Sequence, residues 1–269
     1  MDLKSMKKLL AVAVTAAGCA MAAPTQADPL AFLPQNTSIQ FKYDNFENPI
    51  VTAANQTLSG IFLVSSILDN NTLGTYWADR ISDGTSLVGF FDGLVSQTPT
   101  ASGTGGFDIN FTGGTLTIYN VPAGTVANPT FNPTSPGDSF ANQLCGGACP
   151  TPFLTMDFVG GVFPSDPTVT LRSHVDTLSA PLTGSGFGRL EVTGGTAAGA
   201  FGSEFSLNSN FQSCPATGPN ASLCNNAGTW PIASFDPVTG RTVPEPGSLA
   251  LLAAGFLAAA GLRKRFPRR

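Results

Sequence analysis

Short segments in which apolar and polar residues alternate strictly run through the middle of the chain, and they restrict it to β-structure. In residues 38–43, Ile39, Phe41 and Tyr43 fall on one face of an extended segment, and residues 107–111 repeat the pattern. Only 11% of the residues are charged, which is too few to cover the exposed faces of helices, whereas 30 Gly and 21 Pro suit short strands and tight turns. We therefore expect an all-β protein built on one Gly/Thr/Asn-rich domain, a β-sandwich or jelly roll.

The strands of this domain can be placed from the same pattern. We predict strands at residues 38–43, 57–67, 86–91, 107–111, 115–119, 153–158, 168–175, 188–192 and 200–207. Thr112-Gly113-Gly114 predicts a hairpin turn between the fourth and fifth of these, and residues 184–188 read as a second turn. Residues 122–152 and 213–228 are rich in turn-forming residues and predict long loops.

The N-terminus has the layout of a secretory signal. Lys4, Lys7 and Lys8 precede a short apolar run, and small residues follow it up to Ala27. We predict a signal peptide at residues 1–27, which contains Cys19, and an exported mature chain. A lipid-modified Cys19 is the alternative.

Charge separates the ends of the chain from its body. Residues 28–243 hold 15 acidic groups and five basic ones. Such an acidic body lacks the basic surface that neutralises phosphates, so nucleic acid and anionic lipid surfaces are excluded as expected partners of this domain.

The cysteines agree with an oxidising compartment. Cys145, Cys149, Cys214 and Cys224 lie in the two predicted loops. We favour disulfides between Cys145 and Cys149 and between Cys214 and Cys224, with cross-pairing between the loops left open. Zinc binding by the same four thiolates is the competing interpretation.

No coherent catalytic group is visible, and we predict a protein that is not an enzyme, with no catalytic residues, no cofactor and no metal. The single histidine, His174, lies in a predicted strand with Asp176 on the same side, and no Gly-x-Ser-x-Gly motif occurs. The carboxylates show no spacing that selects a catalytic pair, and a calcium site made from several loops stays open. Trp77 and Trp230 are candidate platforms for a saccharide, with core packing as the alternative for each.

The C-terminus has three consecutive features. Pro244, Glu245 and Pro246 form an extended joint, because proline denies both helix and sheet pairing. Residues 247–262 are almost entirely Gly, Ala, Leu and Phe and predict a short apolar membrane helix. Arg263, Lys264 and Arg265 follow directly, and such a basic stop stays on the cytoplasmic side.

This order of Pro-Glu-Pro, apolar helix and basic end resembles the PEP-CTERM sorting tail of exported proteins in Gram-negative bacteria. The resemblance implies a sorting and processing motif at Pro244, Glu245 and Pro246, recognised by an exosortase-type membrane processing enzyme. It also implies transient anchoring in the inner membrane, then release to the cell surface or extracellular matrix. The Gly-rich body resembles, more loosely, passenger regions of flocculation-associated members.

The domain organisation that we predict is a signal helix at 1–27, a β-rich exported domain at 28–235, a linker at 236–243 and a sorting tail at 244–269. The predicted function is a surface or matrix protein that contributes to exopolysaccharide or biofilm matrix, adhesion or flocculation, with exopolysaccharide as a partner. The alternatives are a secreted, lectin-like carbohydrate-binding module and an enzyme acting on polysaccharide.

Overall fold

The structure, a computed structural model, describes residues 28–123, 125, 144–145, 147–214, 230–234 and 237–243. This part of the chain is built from twelve strands and two short 3₁₀ helices. The strands are β1 Ser38–Asn48, β2 Thr57–Asp69, β3 Thr75–Ala78, β4 Thr85–Ser96, β5 Thr100–Ala101, β6 Phe107–Pro122, β7 Leu154–Phe158, β8 Leu171–Val175, β9 Thr183–Gly194, β10 Glu204–Ser213, β11 Ile232–Ser234 and β12 Pro237–Arg241. The 3₁₀ helices are Pro29–Phe32 and Ala198–Ala200. The all-β prediction is confirmed.

All strands belong to one antiparallel sheet, and this sheet closes on itself. From β1 the pairing runs through β12, β10, β9, β7, β6, β4 and β2, and β2 pairs back with β1. β8 lies beside β7 between β6 and β9, and β11 lies beside β12 between β1 and β10. The prediction of a sandwich or jelly roll is therefore wrong in its architecture. A strand with alternating apolar residues can bury its apolar face inside a closed sheet as well as between the two sheets of a sandwich. Closure also pairs the two edge strands with each other.

The interior of the closed sheet holds the main hydrophobic core. Inward side chains alternate along each strand, as in β1, where Ile39, Phe41 and Tyr43 are all buried. A second, smaller cluster lies on the outer face, where Leu144 and Trp230 cover apolar residues of β1, β2 and β4. Those strands are consequently buried on both faces, which explains the nearly continuous apolar run of β2.

Aromatic rings fill one end of the interior. Phe41, Phe201 and Phe205 form a triangle with ring centroids 5.8–5.9 Å apart, and Phe153 joins it at 6.3 Å from Phe201. Inward glycines make room for such rings. A Cβ on Gly240 would stand 2.1 Å from the Phe205 ring, so only glycine fits beneath it.

Two predicted turns are in fact strand. Residues 107–119 do not form a hairpin, because β6 runs without interruption from Phe107 to Pro122 along β4. Gly113 and Gly114 have positive φ angles of 70° and 99°, and they bend the strand rather than reverse it. Likewise residues 184–188 lie within β9 and pair with both β8 and β10.

Candidate functional site

The C-terminal end of the described chain is held tightly by the sheet. β12 pairs with β1 and β10, so Pro237–Arg241 is an integral strand. The predicted linker at 236–243 is therefore wrong for residues 237–243. Its alternation was hidden by Pro237 and Gly240, residues that normally mark a break in a strand.

Thr242 anchors the chain directly after β12. Its backbone N–H donates to the carbonyl of Thr37 at 2.9 Å, and its Oγ1 donates to the carbonyl of Pro34 at 2.7 Å. The same Oγ1 accepts from the N–H of Thr37 at 3.0 Å. Thr242 itself is only 3% exposed, and both side-chain bonds are partly buried.

Val243 is the last residue before the Pro-Glu-Pro motif, and it is still bound to the fold. Its N–H donates to the carbonyl of Ala200 at 2.9 Å, beside the bridge between Phe201 and Thr242. The motif thus follows the folded domain without any intervening spacer.

This junction coincides with a match to a known sorting signal. Residues 242–265 match the family model described as the PEP-CTERM protein-sorting motif. No curated protein and no solved structure matches the chain. The match defines the class of protein, an exported protein with a C-terminal sorting signal that implies processing by exosortase, a membrane enzyme. The chain therefore carries a PEP-CTERM sorting motif at its C-terminal end, and Thr242 and Val243 belong to both the fold and the matched segment.

The rest of the tail lies outside the described residues. This applies to Pro244, Glu245 and Pro246, to the apolar segment 247–262 and to the basic stop Arg263, Lys264 and Arg265, as well as to the predicted signal peptide 1–27. Within the described ranges, no helix has the length and apolar character needed to cross a membrane.

Neither tryptophan offers a saccharide platform in this fold. Trp77 is 0% exposed in the inner core, and Trp230 is 1% exposed in the outer cluster. A stacking platform must present a ring face to the ligand, and both indole faces are covered by protein. The platform interpretation is therefore wrong, and the alternative of core packing holds for both residues.

The predicted disulfide between Cys145 and Cys149 is present. It closes a short loop next to Leu144, which is fully buried in the outer cluster. Cys214 is also disulfide-bonded, and Cys224, its predicted partner, lies outside the described residues. Two of the four thiolates required for the competing zinc site are thus consumed by one bond.

His174 contacts Asp108 rather than Asp176, the carboxylate that the sequence pattern places on its side. Its Nδ1 lies 2.9 Å from Oδ1 of Asp108, across the pairing of β8 with β6. Ser185 of β9 stands opposite His174 on the other side, so an Asp, a His and a Ser share one row on the outer face.

This row lacks the other requirements of a serine hydrolase. The side chains of His174 and Asp108 are 40% and 38% exposed, so water competes for their hydrogen bonds. β9 is paired on both sides at Ser185, which engages the nearby backbone N–H groups in the sheet rather than leaving two of them for an oxyanion. The arrangement orients His174 on the surface without a visible means to stabilise a reaction intermediate.

Asp69 and Asp83 accept hydrogen bonds from backbone N–H groups two or three residues further along the chain. Asp69 accepts from the N–H groups of Asn71 and Thr72, and these bonds together with the Tyr76 hydroxyl hold its pKa below the usual range, the hydroxyl contributing most. Asp83 accepts from the N–H of Thr85 at 3.0 Å. Among the described residues, no group of three or more His, Cys, Asp or Glu side chains is placed to hold a metal ion.

Two buried features escaped the sequence analysis. Thr242 anchors the chain before the Pro-Glu-Pro sequence, and this role depends on Pro34 and Thr37, more than 200 positions earlier. Asn45 and Glu47 continue the inward face of Phe41 and Tyr43, and they point into the closed sheet although they are polar. Every second residue of β1 stays buried through these positions, but the residue type changes from apolar to polar. This change is the only sequence signal of a polar group inside the sheet.

Proposed function

We propose that the protein is a non-enzymatic component of the cell surface or extracellular matrix, which contributes to exopolysaccharide or biofilm matrix, adhesion or flocculation. The observation that best supports this proposal is the sorting junction. The last described residues, Thr242 and Val243, are hydrogen-bonded to the fold, and the Pro-Glu-Pro sequence begins at the next position. Removal of the tail beyond Val243 therefore leaves all described strands in place.

The exposed position of the polar side chains supports a domain that is presented at the cell surface rather than a catalytic one. His174 is held by Asp108 on an exposed face, where solvent weakens both charge and hydrogen bonding. Carboxylates also recur in register on the outer face, with Asp157 opposite Glu191 and Glu191 opposite Glu204. Such an acidic surface favours solubility of a released domain.

The processing part of the proposal is tested by intact-mass analysis of the protein released from cells. We expect a product that lacks the apolar segment and ends near Pro244-Glu245-Pro246. The variant Glu245→Ala should retain its tail and stay with the membrane fraction. The matched control Glu204→Ala changes an exposed glutamate of the domain and should be processed normally. Release of the full-length chain would contradict the proposal.

The matrix part is tested separately by deleting the protein and measuring cell aggregation and retained polysaccharide. Both should fall, and both should return with the Glu204→Ala chain but not with Glu245→Ala. His174→Ala should restore them as well, because no catalytic role is assigned to that side chain. Unchanged aggregation and polysaccharide in the deletion strain would contradict a matrix role and leave the processing result unaffected.

A further inference from the structure

The interior of the closed sheet is not completely filled, and Phe41 of the aromatic triangle is among the residues that line the unfilled space. A cavity of about 80 Å³ lies among inward side chains that are mostly apolar, among them Phe62, Met156 and Leu207. Its space arises where small residues meet on adjacent strands. Ser173, Gly186 and Ser209 face one another across β8, β9 and β10, in direct register.

Gly186 is the residue that leaves this space open. A Cβ built there would meet its nearest neighbour, Oγ of Ser173, at 3.5 Å, which is an ordinary contact. The flanking inward glycines differ, because Gly184 is covered by the Phe211 ring at 2.5 Å and Gly188 by Leu171 at 3.1 Å. Gly186, which lines the cavity, is therefore not covered by a close side chain as Gly184 and Gly188 are.

A polar group lies at one end of the cavity. Nδ2 of Asn45 donates to Oε1 of Glu47 at 2.7 Å and to Oγ of Ser234 at 3.1 Å. In this orientation of the Asn45 amide, the nitrogen faces both oxygen atoms and donates to each of them. Both Nδ2 hydrogens are then used.

The remaining atom of this amide is an unsatisfied acceptor. Oδ1 of Asn45 has no hydrogen-bond partner among the described residues, although Asn45 is only 4% exposed. Most buried polar atoms in proteins are paired, and an orphan of this kind is costly. A ligand that donates a hydrogen bond at this point would satisfy it.

The cavity reaches the loop that follows β1 and the loop between β8 and β9. Ile50 and Val51, which follow β1, and Thr177 and Leu182, which lie between β8 and β9, contribute to its lining. Ile50 and Thr177 are partly exposed, so the lining of the cavity extends to the protein surface at these two loops.

We propose that this cavity is a binding site for a short aliphatic molecule with one hydrogen-bond-donating head, an alcohol or a primary amine. The head donates to Oδ1 of Asn45, and the alkyl part lies against Phe62, Met156 and Leu207. The volume suits a chain of roughly three to four carbon atoms. A carboxylate head is rejected, because it presents only acceptors to the Oδ1 of Asn45 and the carboxylate of Glu47.

Met156 provides a direct probe of occupancy. It lines the cavity, and the other three methionines lie within the first 21 residues. With methyl-¹³C methionine in the full chain held in lipid nanodiscs, 1-butanol and butylamine should shift the Met156 signal in a saturable manner. We expect dissociation constants in roughly the millimolar range, as befits ligands of this size. Butyrate should cause no saturable shift.

Two glycine variants separate specific binding from partition into lipid. Gly186→Val places a branched side chain in the cavity and should weaken binding of both ligands at least tenfold. The matched control Gly103→Val lies in a loop where a Cβ meets nothing within 4 Å, and it should bind like the original chain. Equal saturation in both variants would overturn the proposal.

The polar head is tested with Asn45→Leu, which removes the acceptor. The preference of the site for butanol over butyrate should disappear in this variant. If Asn45→Leu fails to fold, the ligand series on the original chain decides alone. A Met156 signal that none of the three molecules shifts means that water alone occupies the site, and equal shifts with butyrate mean that Oδ1 of Asn45 does not select the head. Either result overturns the proposal without affecting the role in the matrix.

Discussion

The N–H of Val243 donates to the carbonyl of Ala200 at 2.9 Å, one residue before the Pro-Glu-Pro motif begins. The folded domain and the sorting signal therefore meet without a flexible joint between them. The stability of the attachment at Thr242 and Val243 can therefore be measured by mutation.

Replacing Thr242 by Val should loosen this attachment. The change removes an Oγ1 that donates to Pro34 and accepts from Thr37, so two partly buried backbone groups, a carbonyl and an N–H, lose this partner. We expect a loss of about 2 kcal/mol in the free energy of unfolding, measured by urea denaturation. Faster hydrogen exchange at residues 237–243 should accompany it.

The control for this experiment is Thr239→Val in β12, the strand that directly precedes Thr242. Oγ1 of Thr239 makes one long contact of 3.4 Å with the carbonyl of Ser206, so its removal should cost much less. If both variants lose the same stability, the anchoring role of Thr242 is refuted.

Inward glycines of the sheet should differ sharply in their tolerance of alanine. A Cβ on Gly89 would stand 2.4 Å from both the Phe62 ring and the carbonyl of Thr117, and the backbone atom cannot move aside. We expect Gly89→Ala to destabilise the fold by about 1–3 kcal/mol. Gly186→Ala meets only ordinary contacts and should be neutral or stabilise by up to about 1 kcal/mol.

Thermal or urea unfolding of the two variants in parallel checks this difference. The original chain is the common reference, and both variants carry the same change in composition. Equal destabilisation would mean that the ring and carbonyl over Gly89 do not restrict that position.

The pattern of residues determined the inward faces of the strands but not the way the sheet closes. Ile39, Phe41 and Tyr43 are buried together as predicted, because alternation is a local property. Closure depends on β1 pairing with β12, near the other end of the domain, and nothing in either segment identifies its partner. Gly113-Gly114 was misread because the same positive φ angles serve a hairpin turn and a bend within a strand.

The functional features that consecutive residues form could be predicted from the sequence, and those that distant residues form could not. The sorting motif was recognisable because all of its elements are consecutive in the sequence, and the family match confirms it. The amide of Asn45 binds Ser234, which lies 189 positions away, so no local pattern could reveal that polar group. The tryptophans looked like possible platforms because a sequence gives residue type and not burial.

Asp44 should destabilise the fold at neutral pH. Burial, and secondarily the nearby charge of Asp79, raises the pKa of Asp44 in the folded state. The charged form is thus disfavoured in the folded protein, and this cost is fully present above the folded pKa and disappears as the pH falls below the ordinary value near 3.8. Asp44→Asn, which mimics the protonated acid, should raise the urea midpoint at pH 7 and have little effect near pH 3.

Glu204→Gln is the control for Asp44→Asn, because it also removes one negative charge, at a side chain that is 61% exposed. It should change the midpoint less at pH 7. A lower midpoint for Asp44→Asn than for the original chain at pH 7 would contradict the assignment.

Asp176, beside the loop that borders the cavity, should stabilise the fold at neutral pH, whereas Asp44 destabilises it. Its carboxylate accepts from the N–H of Thr183 at 2.8 Å and from Oγ1 of Thr183 at 3.0 Å. The backbone bond from Thr183 is the main cause that lowers the pKa of Asp176 in the folded state. Its contribution to stability is therefore present above the ordinary pKa near 3.8 and is lost as the pH falls through the lower folded value.

We expect Asp176→Asn to be less stable than the original chain at pH 7, because a neutral amide accepts these bonds less strongly. The difference should shrink progressively below about pH 4, where the original chain also loses its charge. Amides of residues 177–182 should exchange faster in the variant at pH 7, since the two Asp176 bonds hold both ends of this loop together. A stability difference that stays constant down to pH 2 would show that the charge of Asp176 does not carry the effect.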